Sequence, residues 1–269
     1  MDQAKYLEMV KRNPYTLEHI ENPSEDIMLE AVRRNGMVLQ YIKNPPLNVA
    51  EAAIENEARA IQFLSDPPAD LAKKAICKSW ANLEYIHNPS RELITMALSY
   101  SGWAIKYVRD PDEALQLEAV KKNFDAVKYI DNPSQEIQEA AAAQSYAALR
   151  YIDDPVFSAE ALAVKNDEQA LRFIKNLTTE KFIALFKINS LILKYMPPNF
   201  AIAVDAVEDA LRQVIGSEEV DEKYIRDLLN NHSIGRTVST MPIDVIALID
   251  EYGSPKARRI TVDEKLKFT

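Results

Sequence analysis

Val32-Arg33-Arg34-Asn35-Gly36-Met37-Val38-Leu39-Gln40-Tyr41-Ile42-Lys43-Asn44-Pro45 decides the fold, because its pattern returns every 22 residues to about Pro198. The turn that closes it recurs without insertion or deletion at Asn22-Pro23, Asn44-Pro45, Asp66-Pro67, Asn88-Pro89, Asp110-Pro111, Asn132-Pro133 and Asp154-Pro155. A fixed period in this range is the signature of a repeat architecture. Proline disfavours the helical region for the residue before it and fixes its own φ at a helical value. Asn and Asp are preferred N-caps, and proline suits the first helical position. Each step is therefore expected to end one helix and start the next. Asn22-Pro23-Ser24-Glu25 adds an acid as in a capping box.

A second punctuation falls half a repeat later, at Asn35, Ser79, Ser101, Asn123, Ser145, Asp167 and Asn189, with Glu57 the departure. It predicts the N-cap of a second helix. Each unit then reads as a helix of about nine residues, a tight turn and a helix of about seven. Ile27, Ala31 and Val32 in the first helix, and Leu39, Tyr41 and Ile42 in the second, form apolar stripes that recur down the chain. The column Ala31, Ala53, Ala75, Ala97, Ala119, Ala141, Ala163 implies close helix approach. The column Tyr41, Phe63, Tyr85, Tyr107, Tyr129, Tyr151, Phe173, Tyr195 is expected to fill the complementary space. Helices this short are marginal alone and must stack.

The run A-V-x-x-N-G-x-x-L-x-Y-I-x-N-P, as in Ala31 to Pro45, resembles repeats in bacterial and phage proteins classed as a domain of unknown function. The resemblance covers about three quarters of the chain and implies an all-helical fold and a phage or bacterial source. It supplies no catalytic residues. Lys5, Leu177 and Asn199 depart from the repeat pattern.

The fold class is thus all-α: an α-solenoid of about nine 22-residue helical-hairpin repeats over residues 1–198, with a C-terminal helical cap over 199–253. Lys5 and Glu8 suit the polar outer face of a first repeat. In the cap, helices are expected over 199–215, 217–230 and 242–252, with a polar loop from Asn231 to Thr240. Residues 254–269 read as a polar, flexible tail.

With 32 Lys and Arg against 41 Asp and Glu, the formal charge is −9, which disfavours nonspecific binding to nucleic acid or anionic membranes. Cys77 is the single cysteine, so no intrachain disulfide forms, and a reducing, cytoplasmic setting is expected. No apolar run approaches the roughly 18 residues that span a membrane.

Two features are candidates for binding. One register of the second helix reads Glu18, Gln40, Gln62, Glu84, then Lys106, Lys128, Arg150, Arg172, Lys194. Five successive cations suit an acidic partner or a phosphate backbone; cations near a helix C-terminus also complement its dipole. The second is an aromatic group in the middle repeats, Trp80, Tyr100, Trp103, Phe124 and Tyr146. Trp and Tyr are enriched as interface anchors, although aromatics also cover gaps at helix starts. Catalytic signals are lacking. His19, expected to pack in the aromatic column, His87 and His232 are far apart in sequence. No cluster has metal-ligand spacing, and no phosphate-binding or nucleophile motif occurs. Cys77 before Lys78 reads as an exposed bystander, and Gly235 to Thr240 with Lys256, Arg258 and Arg259 as a recognition segment or a solvated end.

The expected function is a non-enzymatic, cytoplasmic protein-binding module, without cofactor or metal, acting on a host or phage protein such as a bacterial defence component. Nucleic-acid binding along the cationic register, or self-assembly into a homo-oligomer, are the alternatives.

Overall fold

The computed structural model describes residues 3–235 and 241–266. The fold is an all-α repeat solenoid, divided into two compact units, Met1–Ile130 and Asp131–Thr269. Among the described residues the first unit holds six pairs of one α-helix and one 3-10 helix, from Gln3–Arg12 with Pro14–His19 to Glu113–Lys122 with Phe124–Tyr129. Within it, α-helices pack on α-helices and 3-10 helices on 3-10 helices, which makes two layers. No helix among the described residues is long and apolar enough to cross a membrane.

The pair Glu25–Arg34 and Gly36–Tyr41 shows how the repeat works. Asn35 is extended, with φ −152° and ψ 107°. Its backbone N–H donates to Ala31 O and closes the α-helix, while its side chain accepts from Met37 N–H and opens the 3-10 helix. The same side-chain bond recurs at Asn13, Ser101, Ser145, Asp167 and Asn189. The alanine column is completely buried, as a small side chain at a close helix contact requires. Gly36 and Gly102 mark the tightest approaches. A Cβ there would lie 2.3 Å from Ala53 O and 2.1 Å from Ala119 O. Gly36 N–H donates to Asn56 Oδ1 and Gly102 N–H to Asn123 Oδ1, both at 2.8 Å. Side chains also satisfy carbonyls at the end of the preceding repeat's helix, which have no intrahelical donor. Asn56 donates to Arg33 O at 2.9 Å, and Lys78 to Ile54 O at 3.0 Å and to Glu55 O.

Three local expectations change. The second helix is 3-10 rather than α, with bonds such as Ile42 N to Leu39 O. Gly36, Val38, Leu39 and Ile42 are buried, and Tyr41 is half-buried at the margin of the core. The aromatic column fills space at the margin of the core only in part: Tyr41, Phe63, Phe173 and Tyr195 pack against it half-buried. Tyr129 and Tyr151 are 38% and 40% exposed, and His19 in the same register is exposed too. Nor does the Asn/Asp-Pro step start the α-helix. Six residues of the turn register (Asn22, Asn44, Asn88, Asp110, Asn132, Asn176) have φ between 47° and 53°. Asn and Asp tolerate this left-handed region best among non-glycine residues. The α-helix begins later, capped from positions such as Ser90, Asp112 and Ser134, and Ser24 makes no capping-box bond.

The second unit continues with three pairs, Gln135–Gln144 with Tyr146–Tyr151, Phe157–Asn166 with Glu168–Phe173, and Thr179–Phe186 with Ser190–Tyr195. Four α-helices follow: Val204–Ile215, Glu222–Leu229, Val245–Tyr252 and Pro255–Leu266. The helix expected from Ser217 starts instead at Glu222, capped by Asp221. The core here is built on large rings and branched chains. Phe182 and Phe186 are fully buried with centroids 6.3 Å apart, and Phe200 lies 5.3 Å from Phe182. Tyr224 donates its hydroxyl to Phe186 O at 3.1 Å, and its burial pushes the phenol pKa up. The flexible tail is also corrected. Pro255–Leu266 is a helix whose Ala257, Ile260 and Thr261 are buried, and Glu264 accepts from Arg226. Arg236 to Thr240 and residues 267–269 lie outside the described residues, so most of the proposed loop segment does too.

Candidate aromatic and cationic interface

The 3-10 helix presents the functional side chains because its buried positions, such as Gly36, Val38 and Leu39, leave the two that follow outside the core. With positions 39 and 42 of the repeat inside, positions 40 and 41 point outward or lie half-covered. Those two positions are the ladder register and the aromatic column. The result, within each unit, is a face on which cations and rings alternate.

In the first unit, the Lys106 ammonium lies 4.4 Å from the centroid of Tyr107, and Trp80 meets the same ring at 6.3 Å. A hydrogen bond with Tyr107 holds the Lys106 pKa up against desolvation. Lys128 lies 5.1 Å from the centroid of Trp103 and 4.9 Å from that of Tyr129. Asp125 binds this group together, accepting from Trp103 Nε1 at 2.7 Å and from Lys128 at 3.2 Å. Desolvation lowers the Lys128 pKa, but Asp125 and Tyr129 together outweigh it, so the net shift is upward and the charge persists at neutral pH. Trp103 is 39% exposed. Earlier in this unit Arg59 lies over Tyr85 and donates to its hydroxyl at 3.1 Å.

In the second unit, Tyr146 stacks on Phe173 at 5.8 Å, and the Arg150 guanidinium lies 5.7 Å from the same centroid. Arg172 lies 4.6 Å from the centroid of Tyr195. Lys194 is 4.0 Å from Glu168. Each cation–π contact of this kind contributes about 0.5–1 kcal/mol at an exposed site.

The structure thus joins two groups that the sequence reading kept apart: Trp80, Trp103 and Tyr146 sit among the cations. Phe124 is half-buried at the start of its 3-10 helix. Tyr100 separates from the others. It ends the α-helix Arg91–Tyr100, in the other layer, and a hydrogen bond with Cys77 raises its phenol pKa. Asp125, Arg59 and Tyr85 belong to the face but were not singled out from the sequence. The spacing of Trp103 and Asp125, one repeat apart, was the available signal. His19, His87 and His232 are exposed, and no group of His, Cys, Asp or Glu among the described residues could hold a metal ion. No family model, curated protein or solved structure matches the chain.

Proposed function

We propose that this chain is a non-enzymatic protein-binding module whose 3-10 layers present the docking surface. The observation that carries the reading is the exposed Trp103, with its indole fixed by Asp125 and its ring overlaid by Lys128. A large ring held in place loses little entropy when a partner covers it, and Trp, Tyr and Arg dominate interface energetics. Helical-repeat scaffolds commonly work this way. A cytoplasmic setting suits Cys77, which is exposed and has no second cysteine in the chain. The resemblance of the repeat to phage and bacterial proteins makes a host or phage protein, such as a defence component, the partner class.

A tagged pull-down from the native host lysate at moderate salt tests this. The expected result is one stoichiometric protein, lost from the Trp103→Ala variant and from a Lys128→Glu/Arg150→Glu variant that stay folded by circular dichroism. Retention at wild-type level in both variants overturns the surface assignment. Recovery of nucleic acid without protein favours the second reading, binding along the cationic register.

A further inference from the structure

Arg150 and Arg172 in the second unit share one arrangement. Each guanidinium lies over an aromatic ring 23 residues further on, Phe173 and Tyr195, at 5.7 and 4.6 Å. A guanidinium carries five N–H donors in a fixed plane. Stacking occupies the face of that plane and leaves the edge available. Among the described residues, neither arginine has a carboxylate or carbonyl partner. Others in this chain do: Arg34 pairs with Glu30, Arg91 with Asp112, Arg212 with Glu208 and Arg226 with Glu222. In a chain with more acids than bases, two successive exposed arginines, each over a ring and without an acid partner among the described residues, are a specific feature.

We propose that Arg150 and Arg172 form a carboxylate-receiving pair for an extended acidic segment of the protein partner, with acidic residues three positions apart. This rests on the binding-module reading and names the chemistry of what binds. Successive helices in a stack lie roughly 8–10 Å apart. A segment in the extended polyproline II conformation has three residues per turn and rises about 3.1 Å per residue, so acids three positions apart share one face at about 9 Å and match one step of the stack. A carboxylate meets a guanidinium edge through two parallel N–H···O bonds. A single-stranded nucleic acid fits less well, because it needs open aromatic faces for its bases. Here Phe173 already carries both Tyr146 and Arg150, and Tyr195 carries Arg172.

Fluorescence anisotropy on the full chain tests the pairing. The probes are a labelled peptide with glutamate at every third position, the same peptide with glutamine there, and a labelled oligo-dT. The acidic peptide should bind, the glutamine peptide should not, and Arg150→Ala/Arg172→Ala should weaken binding about tenfold or more. Arg150→Lys/Arg172→Lys keeps the charge and loses the planar fork, so it should fall between the two; it also serves if the alanine variant fails to fold. Equal binding of the glutamine peptide, no loss in either variant, or binding of oligo-dT alone overturns the proposal. If no peptide binds while the lysate partner is still retained and still lost from Trp103→Ala, the binding-module reading stands and the acidic segment falls. If the lysate partner is also absent, both fall.

Discussion

The regular repeats and the ninth one solve opposite packing problems. Around Gly102, space is the limit: a single added Cβ would sit 2.1 Å from Ala119 O. Around Phe186, volume is the requirement: two phenyl rings, fully buried, stack at an interplanar angle of 8° and support the helices that follow. The Ala column of the regular repeats lets backbones approach, whereas the last repeat loses the repeat proline at Leu177 and buries Leu185 in the alanine register beside Phe182 and Phe186. The lesson is that a period kept in sequence does not fix a single mode of packing. One register can be held by backbone proximity in one place and by side-chain bulk in another.

The largest effect should come from removing bulk. Phe186→Ala is expected to cost about 4 kcal/mol in urea or thermal unfolding, from lost transfer energy and a cavity. A loss below about 1 kcal/mol would show that the helices close over the gap. Adding bulk where there is no room comes next. Gly102→Ala should cost about 2 kcal/mol through backbone displacement, although alanine is the better helix former. A stabilised Gly102→Ala protein would break the comparison, since propensity would then outweigh proximity.

The smallest effect concerns charge at one register of the turn. Gln138 donates to Pro133 O at 2.9 Å and accepts from Val156 N–H at 2.8 Å, tying two repeats together. One repeat later the residue is Glu160, completely buried. Lys181 donates to its Oε1 at 3.0 Å and lies 2.9 Å from Oε2, off the hydrogen-bond direction. Burial pushes the Glu160 carboxyl above the usual carboxylate range, Lys181 pulls it back, and Asp154 pushes it further up. The folded state therefore holds this proton more tightly than the unfolded chain. Its contribution favours folding at low pH and is lost as pH rises through the raised value. Glu160→Gln should flatten that part of the pH–stability profile and change neutral-pH stability by less than about 1 kcal/mol, measured by urea unfolding from pH 4 to 8. An unchanged slope would move the titration elsewhere.

Much of this fold was legible because its determinants are local. The Ala column, the cap at Asn35 and the count of repeats follow from side chains that act on backbone within a few residues. The 3-10 geometry was not legible, because six residues cannot separate a period of three from one of 3.6. The left-handed turn residue was misread for a related reason. Asn and Asp before proline suit an N-cap and a positive φ equally well. The last helix was missed because Pro255–Leu266 is mostly polar and its apolar residues do not fall on one stripe: Ala257 and Ile260 are buried while Val262 and Leu266 are exposed. In the site, both columns were visible as columns. Their union was not, since it depends on which way a 3-10 helix turns positions 40 and 41. Tyr100 groups with Trp103 in the sequence as a large aromatic of the middle repeats, and only the fold puts the boundary between the two layers there.

Asn35 serves two helices at once, and side chains such as Asn56 and Gln138 reach backbone in the adjacent repeat. Each kind of bond therefore depends on its own fixed spacing, 23 residues for Asn56 to Arg33 and 18 for Val156 to Gln138. One residue inserted inside a repeat would disturb the bonds that span the insertion, while a whole added repeat would leave the spacing of each bond unchanged. An array of this kind grows by copying entire modules and resists editing one letter at a time. For an engineer, that makes the complete 22-residue cassette, cut at the left-handed turn, the natural unit of exchange.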